Sequence, residues 1–310
     1  MNKKIDFSRP LVVLAPLAGY TDLPFRSVVK KFGADLTISE MISSNALVYK
    51  SARTLKMIEK SPSEDPYFVQ IAGNSVELVR DAVEILNDVE GIDGIDLNCG
   101  CPAPKVFSHG SGSNLLGDLK KLEAILSTVK KYSKKQYTTA KVRLGVNEKI
   151  PVEIGKAVES CGADFISVHG RTRAGKYKAP VDYDAIKLMK ESISIPVIAN
   201  GDIKDYDKAK EVLAYTKADG VMIGRGAIGK PWIFYQLKHG FDDISNEIKK
   251  QIVLEHYDEM LKFYGVHGAI MFRKLLHAYS KGYTGANEFR DIVNRISEPD
   301  VMRDLIENFF

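Results

Sequence analysis

Residues Pro196–Gly226 read PVIANGDIKDYDKAKEVLAYTKADGVMIGRG. A short β-branched run (PVIAN) passes through Asn-Gly-Asp into an amphipathic stretch, Tyr206–Lys217, and a second apolar run (GVMIG) ends in Gly-Arg-Gly. Strand, helix and strand in so little chain form a βαβ unit, whose two strands must be parallel. The same alternation extends upstream. Further runs lie at Leu11–Pro16, Leu36–Glu40, Tyr67–Ala72, Gly94–Asn98, Thr139–Leu144 and Phe165–His169. Helical patterns at Ser75–Asp88, Lys120–Tyr132, Val152–Cys161 and Tyr183–Ser192 separate them, several with Asp or Ser at the start and Gly past the end. Eight such runs predict a (β/α)8 TIM barrel. The rival doubly wound sheet requires a Gly-rich fingerprint after its first strand, and APLAGYTD is not one.

After Gly240 the pattern changes. From Ser245 the sequence is helical without strands, so residues 1–240 are expected to form the barrel and 241–310 a small all-helical domain. That tail holds 9 Lys+Arg against 12 Asp+Glu, within a chain of net charge +4, so any polyanion footprint must be local. At 310 residues, 45% hydrophobic and 27% charged, the composition is that of a folded globular protein. Three cysteines make no disulfide framework and suit a reducing compartment. The start MNKKIDFSRPLVVLAPLAG superficially resembles a secretory leader, but Asp6, Arg9 and Pro16 interrupt it, and a first barrel strand is the better reading. No apolar run approaches the ~20 residues that span a bilayer. A cytoplasmic protein without membrane contact is expected.

Barrel sites lie at the C-terminal ends of the strands. Read in order, those ends carry Gln70, Asn98, Cys99, Cys101, Lys141, Arg143, His169, Asn200 and Arg225, polar groups that a purely structural barrel does not require there. The Asn200-Gly201-Asp202 and Gly224-Arg225-Gly226 turns on strands seven and eight offer small residues and one arginine where barrels hold phosphate. Tight turns alone also explain the glycines, but the two turns together favour a phosphate-bearing ligand. GRGAIGK mimics a P-loop up to its lysine, yet Pro231 stands where Ser or Thr must reach magnesium, which excludes nucleotide hydrolysis. Lys141 is either a lysine stretching past the core to solvent or a fixed charge beside an electron-rich ring. For the Cys-x-Cys pair, disulfide, metal, packing and catalysis are the alternatives. Adjacent cysteines rarely pair, and His109 alone cannot complete a zinc site, so no metal is expected. Cys161, at a helix end, reads as structural.

The motifs APLAGYTDLPFR, QIAG, DLNCGCPAPKV, AKVRLG, VHGRTRAGKY, PVIANGDI and DGVMIGRGAIGKPW, in this order, resemble those of the tRNA-dihydrouridine synthases, most closely the bacterial B-type branch. The resemblance runs from Leu11 to Trp232 and continues in FRKLLHAYSKGYTGANEFR of the tail. It implies an FMN-binding barrel with a helical tRNA-binding domain. The implied reaction is reduction of the uracil C5–C6 double bond in tRNA, with NADPH or NADH as reductant. By position, Pro16, Leu17 and Ala18 would lie against the flavin. Gln70 and Lys141 would hydrogen-bond its ring, and His169 would sit near its pyrimidine side. Asn200, Gly201, Asp202, Gly224 and Arg225 would hold its phosphate, and Asn98 and Arg143 would meet the substrate base. Leu17 replaces a usual Met, and FSHGSGSNLL (Phe107–Leu116) carries Ser and His where Gly or Ala is more usual.

The implied reaction needs a hydride at C6 and a proton at C5. An ordinary thiol is largely protonated at neutral pH and can donate one. Cys101 stands at the family's proton-donor position, while Cys99 matches a position that is usually apolar, so packing is its expected role. The loop HGRTRAGKYK gathers Arg171, Arg173, Lys176, Tyr177 and Lys178, cations around an aromatic that suit phosphate contact and base stacking. A solvated surface loop is the plain alternative. Arg273, Lys274, His277 and Lys281 recur at helical spacing and are candidates for a second RNA-contacting stripe. Two other functions compete: a flavin barrel reducing a free pyrimidine, as dihydroorotate dehydrogenases handle, and a tRNA-binding barrel without catalysis.

Overall fold

The computed structural model describes residues 4–241 and 243–310; Met1–Lys3, where the leader-like start begins, lie outside the described residues. Eight parallel strands form the predicted (β/α)8 TIM barrel: β1 (Leu11–Leu14), β2 (Thr37–Ile38), β3 (Tyr67–Ala72), β4 (Gly94–Cys99), β5 (Tyr137–Arg143), β6 (Phe165–His169), β7 (Val197–Asn200) and β8 (Gly220–Ile223). Pairing runs β1–β8–β7–β6–β5–β4–β3–β2, with Ile42–Ser43 adding a second short segment on β3. The Val13–Leu36 bridge closes the ring, supported by Leu14 N–H donating to Leu36 O at 3.0 Å.

The helices start where polar caps allow. Asp22, Ser75, Asp118, Asp182 and Asp205 each accept a backbone N–H in the first turn of the helix they precede. Their apolar faces meet the outward strand residues in one continuous core. The barrel interior is filled separately by Leu11, Val13, Phe68, Tyr137, Phe165, Ile198 and Met222.

Because side chains alternate along a strand, the same inward rows continue toward the C-terminal mouth. There they turn polar. Asn98 pairs in register with Lys141, Lys141 with Ser167, and His169 with both Arg143 and Asn200. An apolar plug thus supports a polar layer, and that layer is the floor of the site.

The expected helical tail consists of Asn246–Tyr264, His267–Tyr279, Ala286–Val293 and Pro299–Phe309. Ile252, Tyr257, Met260, Phe272, Leu276, Met302 and Ile306 form its core, joined by Val28 of the barrel helix Leu23–Lys31, by Phe32 at its C-terminal cap and by Trp232. Tyr264 Oη also donates to Asp22 at 3.0 Å, tying the tail to the loop after β1. No helix among the described residues is long and apolar enough to cross a membrane.

Candidate active site

A cavity of about 830 Å³ opens at the C-terminal ends of the strands, a volume within the roughly 300–1,000 Å³ typical of cofactor sites. Pro16, Leu17 and Ala18 form an apolar wall, and Gln70, Asn98, Lys141, His169 and Asn200 rise from the floor. Lys141, Arg143, Lys204, Arg225, Lys230 and Lys281 also line it, against the single carboxylate of Asp202. Six cations facing one anion mark a site for an anionic ligand.

The floor is one hydrogen-bonded chain. Asp96, fully buried, accepts from Thr139 Oγ1 at 2.6 Å and from Gln70 Nε2 at 2.7 Å, and burial raises its pKa. Gln70 Oε1 accepts from Asn98 Nδ2 at 2.7 Å, and Asn98 Oδ1 accepts from Cys101 N–H at 2.9 Å. Asn98, expected at the substrate base, therefore also holds the turn that carries Cys101. Ser113, from the unusual FSHGSGSNLL segment, donates through Oγ to Cys101 O at 2.8 Å, and Arg143 Nε donates to Gly100 O at 2.8 Å. The turn is held from three sides.

The three cysteines are free, and Cys101 alone among them lines the cavity. Cys99 is fully buried in the core between strands and helices, where burial pushes its thiol pKa well up. Cys161 Sγ lies 3.1 Å from Ala157 O at its helix end. Among the described residues no cluster of His, Cys, Asp and Glu could hold a metal.

Lys141 reaches inward, donating to Asn200 Oδ1 at 3.2 Å, while Asn200 Nδ2 donates to Met222 O at 2.7 Å. Burial, with the Arg143 charge, lowers the Lys141 pKa to about 8. His169 is pushed down to about 2, by burial first and then by Lys141, Arg143, Arg171 and Arg225. It is therefore a neutral imidazole at physiological pH. Gly201 has φ +133, and a Cβ there would meet Val181 Cγ2 at 2.9 Å and His169 Cδ2 at 3.1 Å. Only glycine fits this lining turn.

Asp202, expected beside a phosphate, forms ion pairs with Arg171 and, at 2.9 Å, with Arg225, and the Arg171 hydrogen bonds lower its pKa. Arg225 keeps half of its side chain exposed, with its guanidinium carbon 4.4 Å from the Tyr177 ring centre. Arg143 packs against the same ring at 5.4 Å and donates to Thr172 O and Lys176 O, both at 3.0 Å.

The basic loop divides. Lys176, Tyr177 and Lys178 are exposed, with Tyr177 in the cavity wall. Arg171 is buried, and Arg173 stacks on Phe107 at 3.6 Å. The tail stripe divides as well. Lys274 Nζ donates to Gly19 O and lies 4.9 Å over Tyr20, and Lys281 lines the cavity. Arg273 instead donates to Ile296 O at 2.7 Å, and His277 pairs with Asn294 at 3.0 Å, both bracing the tail.

Sequence reading did not single out Asp96 and Thr139, although each stands two residues before a marked inward group (Asn98 and Lys141) and so faces inward too. It also missed Lys204 and Lys230, and the buried Arg26–Glu64 pair at 2.8 Å, which has no local signature.

Comparison with known proteins identifies the family. The family profile described as dihydrouridine synthase (Dus) matches residues 13–310. A probable tRNA-dihydrouridine synthase of Helicobacter pylori is 53% identical, over 99% of this chain and 94% of that protein. A tRNA-dihydrouridine synthase B of Vibrio parahaemolyticus is 39% identical, over 96% of this chain and 95% of that protein. In fold, the old yellow enzyme of Trypanosoma cruzi superposes with a TM-score of 0.55 at 10% identity, over 81% of this chain and 93% of that one. Barrel, tail and motifs are matched together over nearly the whole length, and the chain belongs to the dihydrouridine synthase family of oxidoreductases.

Proposed function

We propose that this protein reduces specific uridines of tRNA to 5,6-dihydrouridine, with FMN as bound cofactor and NADPH or NADH as the source of reducing equivalents. The observation that carries the reading is the cavity itself. Of the three cysteines only Cys101 reaches it, and Lys141, Asn200 and Arg225 line the same space. A flavin fits these residues. The volume suffices, the excess of cations suits a phosphate, and the crowded Gly201 turn leaves a surface that no side chain obstructs. Pro16, Leu17 and Ala18 would lie against its ring, and Gln70 and Lys141 would hydrogen-bond it. Gly201, Gly224 and Arg225 would hold its phosphate, with Asp202 orienting Arg225. When bound and reduced, the flavin supplies the hydride for C6.

The remaining steps belong to the chain. Cys101 Sγ gives its proton to C5 as the double bond is reduced, and a proton from solvent restores the thiol. Lys141 and Arg143 line the same cavity as Cys101, so negative charge developing there meets two cations. Tyr177, half exposed beside Arg143 and Arg225, offers a ring on which a splayed base could stack, with Lys176 and Lys178 toward the backbone. The helical segment 241–310 would carry part of the tRNA contact through Lys281, which lines the cavity, and the exposed Lys274 over Tyr20, with Arg273 bracing the tail. Such a substrate places the protein in the cytoplasm.

The test is the dihydrouridine content of unmodified tRNA, by nucleoside mass spectrometry, after incubation with FMN and NADPH. Product is expected from wild type and Cys99→Ala, with a loss of at least a hundredfold for Cys101→Ala, the usual scale of a general acid's contribution (about 10²–10⁴). A protein that binds a reducible flavin yet leaves tRNA unchanged would overturn the reading in favour of a small pyrimidine substrate.

A further inference from the structure

We infer that Arg171 is a positioning residue that fixes His169 as its neutral Nδ1–H tautomer and so presents an N–H donor to the ring of the bound cofactor, an inference that rests on the flavin reading above. Arg171 Nη1 lies 3.3 Å from His169 Nε2. A guanidinium carries donors only, so Nε2 must accept, and a neutral imidazole then has its proton on Nδ1. The arginine has little freedom to do otherwise. Its side chain is 3% exposed, its Nε donates to Ala179 O, and its Nη1 and Nη2 both donate to Asp202. The imidazole remains neutral because its burial, and after it the charges of Lys141, Arg143, Arg171 and Arg225, oppose a second proton.

The other ring nitrogen faces a different environment. Among the described residues Nδ1 has no hydrogen-bond partner, yet it is not among the side-chain atoms sealed without one, and His169 lines the cavity. A donor left unpaired at a cavity wall points to an acceptor on the ligand. The sequence placed Arg171 in the RNA-contacting loop, but its burial turns that guanidinium inward, toward His169 and Asp202.

The test is a long-range ¹H–¹⁵N correlation spectrum of histidine-labelled, flavin-bound protein, with the His169 signals assigned by His169→Asn. Wild type is expected to show a protonated Nδ1 and an unprotonated Nε2. In Arg171→Met, which lacks donors, the pattern should relax toward the Nε2–H form. Flavin affinity should fall roughly tenfold, the scale of one lost hydrogen bond. In a His169→Asn background the same substitution should cost less than in wild type, because the amide carries N–H donors without help and only the loss of the Asp202 pair remains. Arg171→Lys keeps a donor and should hold the tautomer in part, which covers the case that Arg171→Met does not fold. A wild-type His169 protonated on Nε2, an unchanged tautomer in folded Arg171→Met, or additive affinity losses in the two backgrounds would each overturn the inference. The tautomer is also readable in flavin-free protein, so a failure to bind flavin would count against the function and not against this assignment.

Discussion

Lys141→Met should make the flavin-free protein more stable while removing its capacity for the proposed chemistry. The lysine is part-buried on the polar floor, where desolvation lowers its pKa from 10.5 to about 8. The folded state thus binds the proton less tightly than the unfolded chain, so charged Lys141 opposes folding. The gap of about 2.5 units, at about 1.36 kcal/mol per unit, is a penalty of about 3 kcal/mol at pH 7. It is fully present below pH 8, falls as pH rises through 8 toward 10.5, and is down to about 1 kcal/mol at pH 10. Methionine matches the lysine stem in length but loses the hydrogen bond to Asn200 Oδ1, a cost of about 1 kcal/mol. The net gain is about 2 kcal/mol at pH 7 and close to zero at pH 10. Urea denaturation of flavin-free wild type and variant at both values measures it, and flavin retention is read on the same samples. A variant less stable than wild type at pH 7, or a difference that does not shrink with rising pH, would refute the reasoning.

Removing one partner of the buried Arg26–Glu64 pair should cost about 3–5 kcal/mol, because Glu64 is fully buried and Arg26 also donates to Thr21 O and Glu59 O; a loss below about 1 kcal/mol for Arg26→Met in urea would contradict this. His256, sealed between Phe25, Phe272 and Tyr279 with Nε2 unpartnered, has its pKa lowered to about 3 by burial. The unfolded chain then binds its proton first, so stability falls as pH drops from 6.5 toward 3, by about 2 kcal/mol at pH 5. His256→Phe should flatten that acid limb, and parallel stability curves for variant and wild type between pH 7 and 5 would contradict it.

How much of this was legible beforehand follows from the range over which each feature is encoded. The barrel was readable because it repeats: each strand is a local β-branched run and each helix carries its own cap. The floor was readable in part for the same reason. Inward side chains recur every second residue, so Asn98, Lys141, His169 and Asn200 could be marked as a layer before their neighbours were known. Asp96 and Thr139 obey the same period one step deeper, but without the β4–β5 register nothing local says that they meet. Arg171 marks the limit most clearly. In sequence it is one cation among several in a glycine-rich loop, the composition expected of a solvated RNA contact. Its inward course depends on Asp202, thirty-one residues away on the next strand's turn.

The same separation explains why a polar layer can sit inside a barrel at all. Uncompensated, Lys141, Asp96 and Gln70 would each destabilise the fold by the desolvation cost of a buried polar group. The apolar plug of Phe68, Tyr137, Phe165 and Met222 beneath them fixes the strands independently of the mouth, so the floor need not contribute to folding. That freedom allows the floor groups to keep perturbed pKa values, lowered to about 8 for Lys141 and far enough in His169 to leave it neutral, that serve a bound ligand more than the empty protein. A floor built for stability would have replaced Lys141 with a hydrocarbon side chain. Its presence on the floor is the strongest physical argument for an electron-rich ligand above it.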